Sequence, residues 1–387
     1  MELVLKILFW ICSGLVFYIA VGYPLTLVLL VRSRRFRGTR ELLHPLEAGE
    51  EWPMVSMLVP AFNEEPVIRQ KIENCMMLDY PSDRLEIVVA SDGSTDLTNE
   101  MVRAYGENEV RFRHFENRRG KTHVINAVVP ELRGEIVVIS DASAILELDA
   151  LKQIVRRLQP LGVGAASGIY RFQNVDSSLR GKGEYFYWKY ETFLKMLEDA
   201  TGSVIGAHGA LLAFKKHLFE PLPPETINDD FLIPMRILEK GYRVAYVTEA
   251  QAVEETYGDS FADYHRRSRI FVGNLQQMLF LKGMLNPFKG LDAWKYVSHK
   301  VLRTFSPLMV AGIFLTSLFL HHGIYGFFFW AEMGGLAALF VAALLQEILG
   351  VSRWLSVPFY LGFGFLAGVA GYFRFLMRRQ RVTWTRG

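Results

Sequence analysis

Residues 85–96, LEIVVASDGSTD, run from an unbroken apolar, β-branched stretch into a small acidic turn. The run reads as a buried strand over 85–90, then a turn at Asp92-Gly93-Ser94 and a helix beyond it. The same grammar recurs on both sides. MVSMLV (54–59) predicts a strand ending at Pro60, followed by a helix over 64–78 with Asn63 as its N-cap. Residues 109–114 could be a third strand, 121–129 look helical, and EIVVIS (135–140) is another buried strand. Continuous apolar strands, rather than alternating ones, need cover on both faces. With helices between them they predict a parallel α/β sheet, and no internal repeat interrupts it.

In such a sheet ligands bind at the carboxyl ends of the strands. Three polar clusters fall there: Pro60-Ala61-Phe62-Asn63-Glu64, Ser91 to Asp96, and Ser140-Asp141-Ala142-Ser143. No G-x-G-x-x-G follows a strand and no G-x-x-x-x-G-K-[ST] occurs, so dinucleotide and P-loop readings lose their main support. Asp141 and Ser143, two apart on a loop, could both face one hard cation such as Mg²⁺ or Mn²⁺. Lys121 and the Arg266, Arg267, Arg269 cluster could hold a diphosphate, with Arg266 and Arg269 on one helix face. Asp229 and Asp230 are adjacent carboxylates at the start of a helix over 230–240. They suit either N-capping or a general base, since each raises the other's pKa. Phe186, Trp188 and Tyr190 have the two-residue period of a half-buried strand face, and could equally stack on sugars.

Composition says where this domain lives. Of 387 residues, 51% are hydrophobic and 21% charged, too apolar for an ordinary soluble enzyme and far from disorder. The net charge of +3 does not argue for nucleic acid. The two cysteines, Cys12 and Cys75, fit neither a metal spacing nor a disulfide framework. The apolar excess sits at the two ends. Residues 3–31 carry one charge, Lys6, and predict an uncleaved membrane anchor. Arg32, Arg34, Arg35, Arg37 and Arg40 follow it and orient the middle of the chain toward the cytoplasm of a plasma (inner) membrane. Three further apolar stretches cover about 304–321, 325–346 and 356–377, preceded by a mixed segment over 270–299 that suits the membrane surface. The expected organisation is an anchor (1–32), a cytoplasmic domain (50–270), an interfacial segment (271–300), membrane helices (301–378) and a basic tail (379–387). One conflict stands. Three spans after a cytoplasmic domain would leave Arg374, Arg378, Arg379, Arg381 and Arg386 outside, against the charge rule.

The ordered set V-P-A-F-N-E-E, S-D-G-S-T-D, R-G-K-T-H-V-I-N-A, I-S-D-A-S, G-A-H-G-A, N-D-D-F and R-R-S-R-I, over roughly 54–275, resembles glycosyltransferase family 2. The closest branch is the membrane-integrated one of cellulose, chitin, hyaluronan and poly-N-acetylglucosamine synthases. The resemblance implies a GT-A (Rossmann-like) fold and transfer from a nucleotide diphosphate sugar, most often UDP-linked, with inversion to a β-linkage. It implies nucleotide contacts at Pro60, Asn63, Glu64, Asp92, Lys121 and Asp141, with Asp92 on the base. It implies a metal motif at Asp141 whose second aspartate is here Ser143. Asp230 matches the catalytic base, with Asp229 before it. Arg266 and Arg269 fall on a Q-x-x-R-W motif that here reads R-x-x-R-I, so the tryptophan on which processive synthases stack the acceptor is Ile270. Gly206 to Gly209 match an acceptor-side glycine loop in which His208 is a substrate contact.

Three functions remain open on this reading: a synthase extending a polysaccharide, with a homo-oligomer or export partner; a single transfer to a lipid-linked acceptor; and a non-catalytic nucleotide-binding membrane subunit.

Overall fold

The computed structural model describes residues 1–33, 51–172, 179–254, 260–349 and 353–377. The arginines expected to orient the chain at 34, 35, 37 and 40, and the basic tail beyond 377, lie outside the described residues.

Eight strands form one sheet: β1 (Val55–Ala61), β2 (Leu85–Asp92), β3 (Arg111–Phe115), β4 (Ile136–Ile139), β5 (Ile145–Leu146), β6 (Val163–Phe172), β7 (Leu212–Lys215) and β8 (Arg243–Glu254). Their order is β3-β2-β1-β4-β7-β6-β8-β5. The first four are parallel, as the apolar runs predict; β7 is antiparallel to β4 and β6. Both faces are buried. Val55, Met57 and Val59 point into one core with Ile87, Val89 and Val138, while Leu58 points into the other with Val88, Ala90 and Val137. The chain proceeds outward from β1 to β3, then returns to place β4 on the other side of β1. That reversal makes the ends of β1 and β4 the switch point where α/β sheets bind ligands.

On the first face lie α3 (Ile68–Met76) and α6 (Ala150–Leu158); α4 (Thr98–Arg103) and α5 (Lys121–Val128) complete the parallel half. The helix expected from residue 64 begins at Ile68. Asn63 does not cap it but adopts φ +53°, a conformation asparagine tolerates, and turns its amide to the neighbouring loop. The aromatic triplet at 186–190 is not on a strand. It lies on the long helix α7 (Leu179–Ala200), where two-residue spacing puts side chains on different faces. Trp188 packs on Tyr170 and His208, while the Tyr190 hydroxyl donates to Ala20 O of the anchor.

The anchor comprises α1 (Glu2–Phe17), a π-turn at Tyr18–Gly22 and α2 (Tyr23–Arg32). After β7 come α8 (Asp229–Glu239) and α9 (Ser260–Phe280). Then α10 (Leu291–Tyr296) leads through a second π-turn, Val297–Val301, into α11 (Leu302–Leu320), followed by α12 (Gly323–Leu349) and α13 (Arg353–Leu376). Among the described residues, four helical stretches are long and apolar enough to cross a membrane: Glu2–Arg32, Leu291–Leu320, Gly323–Val341 and Ser356–Leu376. The α1 helix packs on α11, where Cys12 meets Gly312, and Phe9 packs edge-on against Tyr325 and Phe328 of α12.

The helix α13 does not join that group along its length. A Cβ on Gly183 of α7 would lie 2.5 Å from Tyr360 Cβ, and Phe271 of α9 fills the surface of Gly368 and Gly371. The Tyr372 hydroxyl donates to Thr304 O (2.6 Å) in the first turn of α11.

One close approach fixes the register of the switch point. Gly134, just before β4, has no room for a side chain: a Cβ would lie 2.4 Å from Ser56 N and 2.7 Å from Val55 C, both backbone atoms of the β1 neighbourhood. Gly134→Ala is expected to cost about 3 kcal/mol by forcing β1 and β4 apart, measured as a lowered thermal unfolding midpoint in detergent.

Candidate active site

The loops after β1 and β2 are stapled together. Asn63 Oδ1 accepts Thr95 N (2.8 Å), Asn63 N donates to Ser94 Oγ (3.1 Å), and Glu64 N donates to Thr98 Oγ1 (2.8 Å). The strand β1 runs one residue past the expected end at Pro60, which lies opposite Ala90 of β2. Asp92, at the tip of β2, is fully buried and accepts Arg119 N and Gly120 N, each at 2.8 Å, on its two carboxylate oxygens. It therefore fixes the loop that opens α5. Two glycines permit this contact: Gly120 takes φ +101°, and a Cβ on Gly93 would strike Arg118 N at 2.8 Å. The Arg118 guanidinium lies over the Phe62 ring, 3.7 Å from its centre. Arg118 is also within electrostatic reach of Asp92, and nothing in its local sequence marked it out.

A cluster of charges forms around Lys121, the first residue of α5. Its Nζ is 2.7 Å from Asp141 Oδ1 and 3.3 Å from Asp229 Oδ2. Burial works against the ammonium charge, but Asp141 and Asp229 outweigh it and hold the pKa above its usual value. Burial likewise opposes ionisation of Asp141, and Lys121, with Lys71 and Arg269, overcomes it. Asp230 behaves differently. Burial, then the Asp229 carboxylate beside it, pushes Asp230 up to about 6, with Lys121 pulling the other way. Asp229 and Asp230 open α8.

The predicted arginine cluster is divided. Arg269 is within electrostatic reach of Asp229, Asp230 and Asp141. Arg266 binds Asp263 (2.8 Å) and Glu184 (3.4 Å) at the rim, with its side chain 46% exposed. Arg267 stacks 4.1 Å over Tyr360 of α13, so its role is to hold that helix.

The glycine loop walls the site. Gly209 O accepts Asp141 N, and a Cβ on Gly209 would lie 2.8 Å from Asp141 Oδ2. Gly206, at φ +76°, would put a Cβ 2.3 Å from the Phe231 ring, next to Asp230. The His208 ring packs edge-on against Trp188 and Tyr246, its backbone N–H donates to Ser167 Oγ (3.1 Å), and burial keeps its pKa well below the usual histidine value.

Ser143 sits at the third position of a turn closed by Ala144 N donating to Asp141 O (3.1 Å). Among the described residues no group of three or more His, Cys, Asp or Glu could hold a metal alone. One carboxylate and a hydroxyl on this turn do fit a hard cation that shares its remaining ligands with phosphate oxygens. Beneath the turn, fully buried Lys71 donates to Ser140 Oγ (2.7 Å) and Ala144 O. Its signal was legible: a lysine in the apolar stripe Ile68, Lys71, Ile72, Cys75.

The family profile described as Glycosyltransferase like family 2 matches residues 53–271. The chain is 27% identical over 262 residues to a beta-monoglucosyldiacylglycerol synthase of Nostoc sp., covering 66% of this chain and 56% of that protein. It is 26% identical over 252 residues to a poly-beta-1,6-N-acetyl-D-glucosamine synthase of Staphylococcus aureus, covering 61% of this chain and 60% of that one. The chain therefore spans little more than half the length of these curated relatives. Among solved structures, mannosyltransferase PcManGT from Pyrobaculum calidifontis, in complex with GDP-Man and Mn²⁺, superposes over 96% of this chain and 100% of its own, with a TM-score of 0.67 and 25% identity. The fold is the GT-A fold the motifs implied, and the chain belongs to glycosyltransferase family 2 as a glycosyltransferase enzyme.

Proposed function

We propose that this enzyme transfers one hexosyl group from a nucleotide diphosphate sugar, with inversion, to the hydroxyl of a lipid acceptor at the membrane surface. The observation that carries the transfer chemistry is Asp230, a carboxyl held near neutrality beside Lys121 and Arg269. Asp230 takes the acceptor proton. The acceptor oxygen forms its bond to the anomeric carbon as the bond to the diphosphate breaks, and the electron pair leaves with the diphosphate. Lys121 and Arg269 meet that growing negative charge. Asp141 and Ser143 would hold Mg²⁺ or Mn²⁺, which supplies further charge neutralisation to the diphosphate when bound. A single displacement turns an α-linked donor into a β-linked product.

The lipid acceptor is supported by the short path from site to membrane. Arg269 is within electrostatic reach of the carboxylates, Ile270 is exposed, and Phe271 already packs on Gly368 and Gly371 of α13. The Nostoc relative is named for a glycolipid product, which agrees. The second reading, a growing polysaccharide, is favoured by the name of the Staphylococcus relative. Purified enzyme in lipid nanodiscs with Mg²⁺ or Mn²⁺ and a panel of UDP- and GDP-hexoses separates them. Nucleotide release with one sugar on lipid is expected. A long soluble product would establish the second reading, and no release from any donor would overturn both.

The same packing bears on topology. We infer that α13 rests along α7 and α9 of the catalytic domain at the membrane surface, because Tyr372 and Gly368 lie beside Thr304 and Pro307, at the catalytic-domain end of α11. The basic tail then stays on the cytoplasmic side and the charge rule is obeyed. A cysteine introduced by Gly387→Cys should react with an impermeant maleimide in inside-out vesicles and not in right-side-out ones.

Three further outcomes follow from the site. Asp230 works only when ionised, so turnover should be full well above pH 6 and fall about tenfold per unit below it, with the acid limb near 6. Asp230→Asn should lower transfer by about 10²–10⁴-fold with nucleotide affinity kept. Asp92→Ala releases the Arg119 and Gly120 amides and should weaken nucleotide binding about tenfold or more, read by calorimetry.

A further inference from the structure

We propose that Tyr23, Lys195 and Glu198 are positioning residues for transfer, setting the backbone of the loop beside Asp230 and tying it to the membrane helices. The proposal rests on the function proposed above. None of the three was singled out by the sequence, and none touches the carboxylate cluster directly.

The loop at 201–206 follows α7 and ends in Gly206, whose surface meets Phe231 next to Asp230. Fully buried groups hold it from two sides. Lys195 donates to Ile205 O (3.3 Å) and Gly206 O (3.0 Å), and Glu198 Oε2 accepts Ile205 N (3.0 Å). Lys295, from α10, donates to Glu198 O (3.1 Å) in the last turn of α7 and to Thr201 O (3.2 Å) and Ser203 O (3.0 Å) just beyond it. Lys195 is 1% exposed, Glu198 and Lys295 are 0% exposed, so none has water as an alternative partner.

The other oxygen of Glu198 belongs to the membrane part. Glu198 Oε1 accepts the Tyr23 hydroxyl and lies 2.6 Å from His299 Nδ1. Tyr23 follows the π-turn of the anchor, and His299 lies within the π-turn before α11. The two turns touch, with Tyr18 Oη 2.8 Å from Ser298 Oγ. A π-turn widens a helix locally and re-aims the side chains around it. Here both helices carry one at their contact, and the re-aimed groups converge on Glu198. On the same face of α7, Glu191 takes Lys300 (3.0 Å) from the same π-turn as His299 and Arg303 (2.7 Å) from the start of α11. One carboxylate thus bridges the membrane anchor to the loop beside the proposed base. Lys195 is also within electrostatic reach of Asp230, and burial, with Lys300, lowers its pKa to about 8, so it is charged across the acid limb.

The test uses the full chain in nanodiscs, measuring transfer to lipid, donor hydrolysis by water and nucleotide affinity. Tyr23→Phe keeps the ring packed against Trp294 and removes only the hydroxyl given to Glu198. Transfer should fall about tenfold, as for one hydrogen bond to a buried carboxylate. Nucleotide affinity and hydrolysis should stay within about twofold. Lys195→Met keeps the length and removes both loop bonds. It should lower transfer further and move the acid limb above 6, because a positive charge near Asp230 is gone while Asp229, Lys121, Asp141 and Arg269 remain. Should Lys195→Met fail to fold, Tyr23→Phe decides alone. Wild-type transfer in Tyr23→Phe, or a parallel loss of transfer, hydrolysis and nucleotide affinity, would overturn the proposal. A wild-type enzyme that releases nucleotide without a lipid product would instead overturn the acceptor reading on which it rests.

Discussion

Glu198 has no access to solvent, and its carboxylate is satisfied only by joining three separate parts of the chain: the anchor through Tyr23, the approach to α11 through His299, and the loop after α7 through Ile205. A buried carboxylate left unpaired would cost several kcal/mol, so these parts cannot separate independently. Burial opposes its ionisation, and His299, followed by Lys195, overcomes that and keeps it charged. The rest of the architecture is arranged around this junction. The sheet presents its loops at one end, α7 crosses behind them, and the membrane helices are fastened to α7 by charge rather than by apolar contact alone.

The site uses the same logic with a different outcome. At the junction the carboxylates of Glu191 and Glu198 are enclosed and each has a basic partner. Around Lys121, Asp141, Asp229 and Asp230 press on one ammonium, so the carboxylates are not equivalent. Asp141 is held ionised and Asp230 is pushed toward neutrality. Two neighbouring groups of the same chemistry thereby take different tasks, one facing a cation or phosphate and one exchanging a proton. The glycines at 206 and 209 leave room for both roles, since a side chain at either would occupy the space against Phe231 or Asp141.

Much of this was legible in the residues. Both faces of the sheet are covered, so its strands read as continuous apolar runs, and the order of the polar clusters followed the order of the strand ends. Asp229 and Asp230 were visible as adjacent carboxylates at a helix start. Asn63 was misread as a cap because the chain turns through φ +53° and helix α3 begins at Ile68. The 186–190 aromatics were misread as a strand face because alternation over so few residues does not distinguish a strand from a long helix with aromatic residues all round it.

The alternation of strands and helices, the identity of the chemical groups at the strand ends and the presence of apolar helices are each written in neighbouring residues, and could be read there. Only the folded chain shows that Arg266 pairs with Asp263 and Glu184, that both oxygens of Asp92 hold backbone amides, and that Lys195 and Lys295 are interior. It also shows that α13 lies against α7 and α9. Each of these depends on which distant segment fills the space beside a residue, and periodicity along the chain carries no record of that. A lysine reads the same in sequence whether water or three carbonyl groups surround its ammonium.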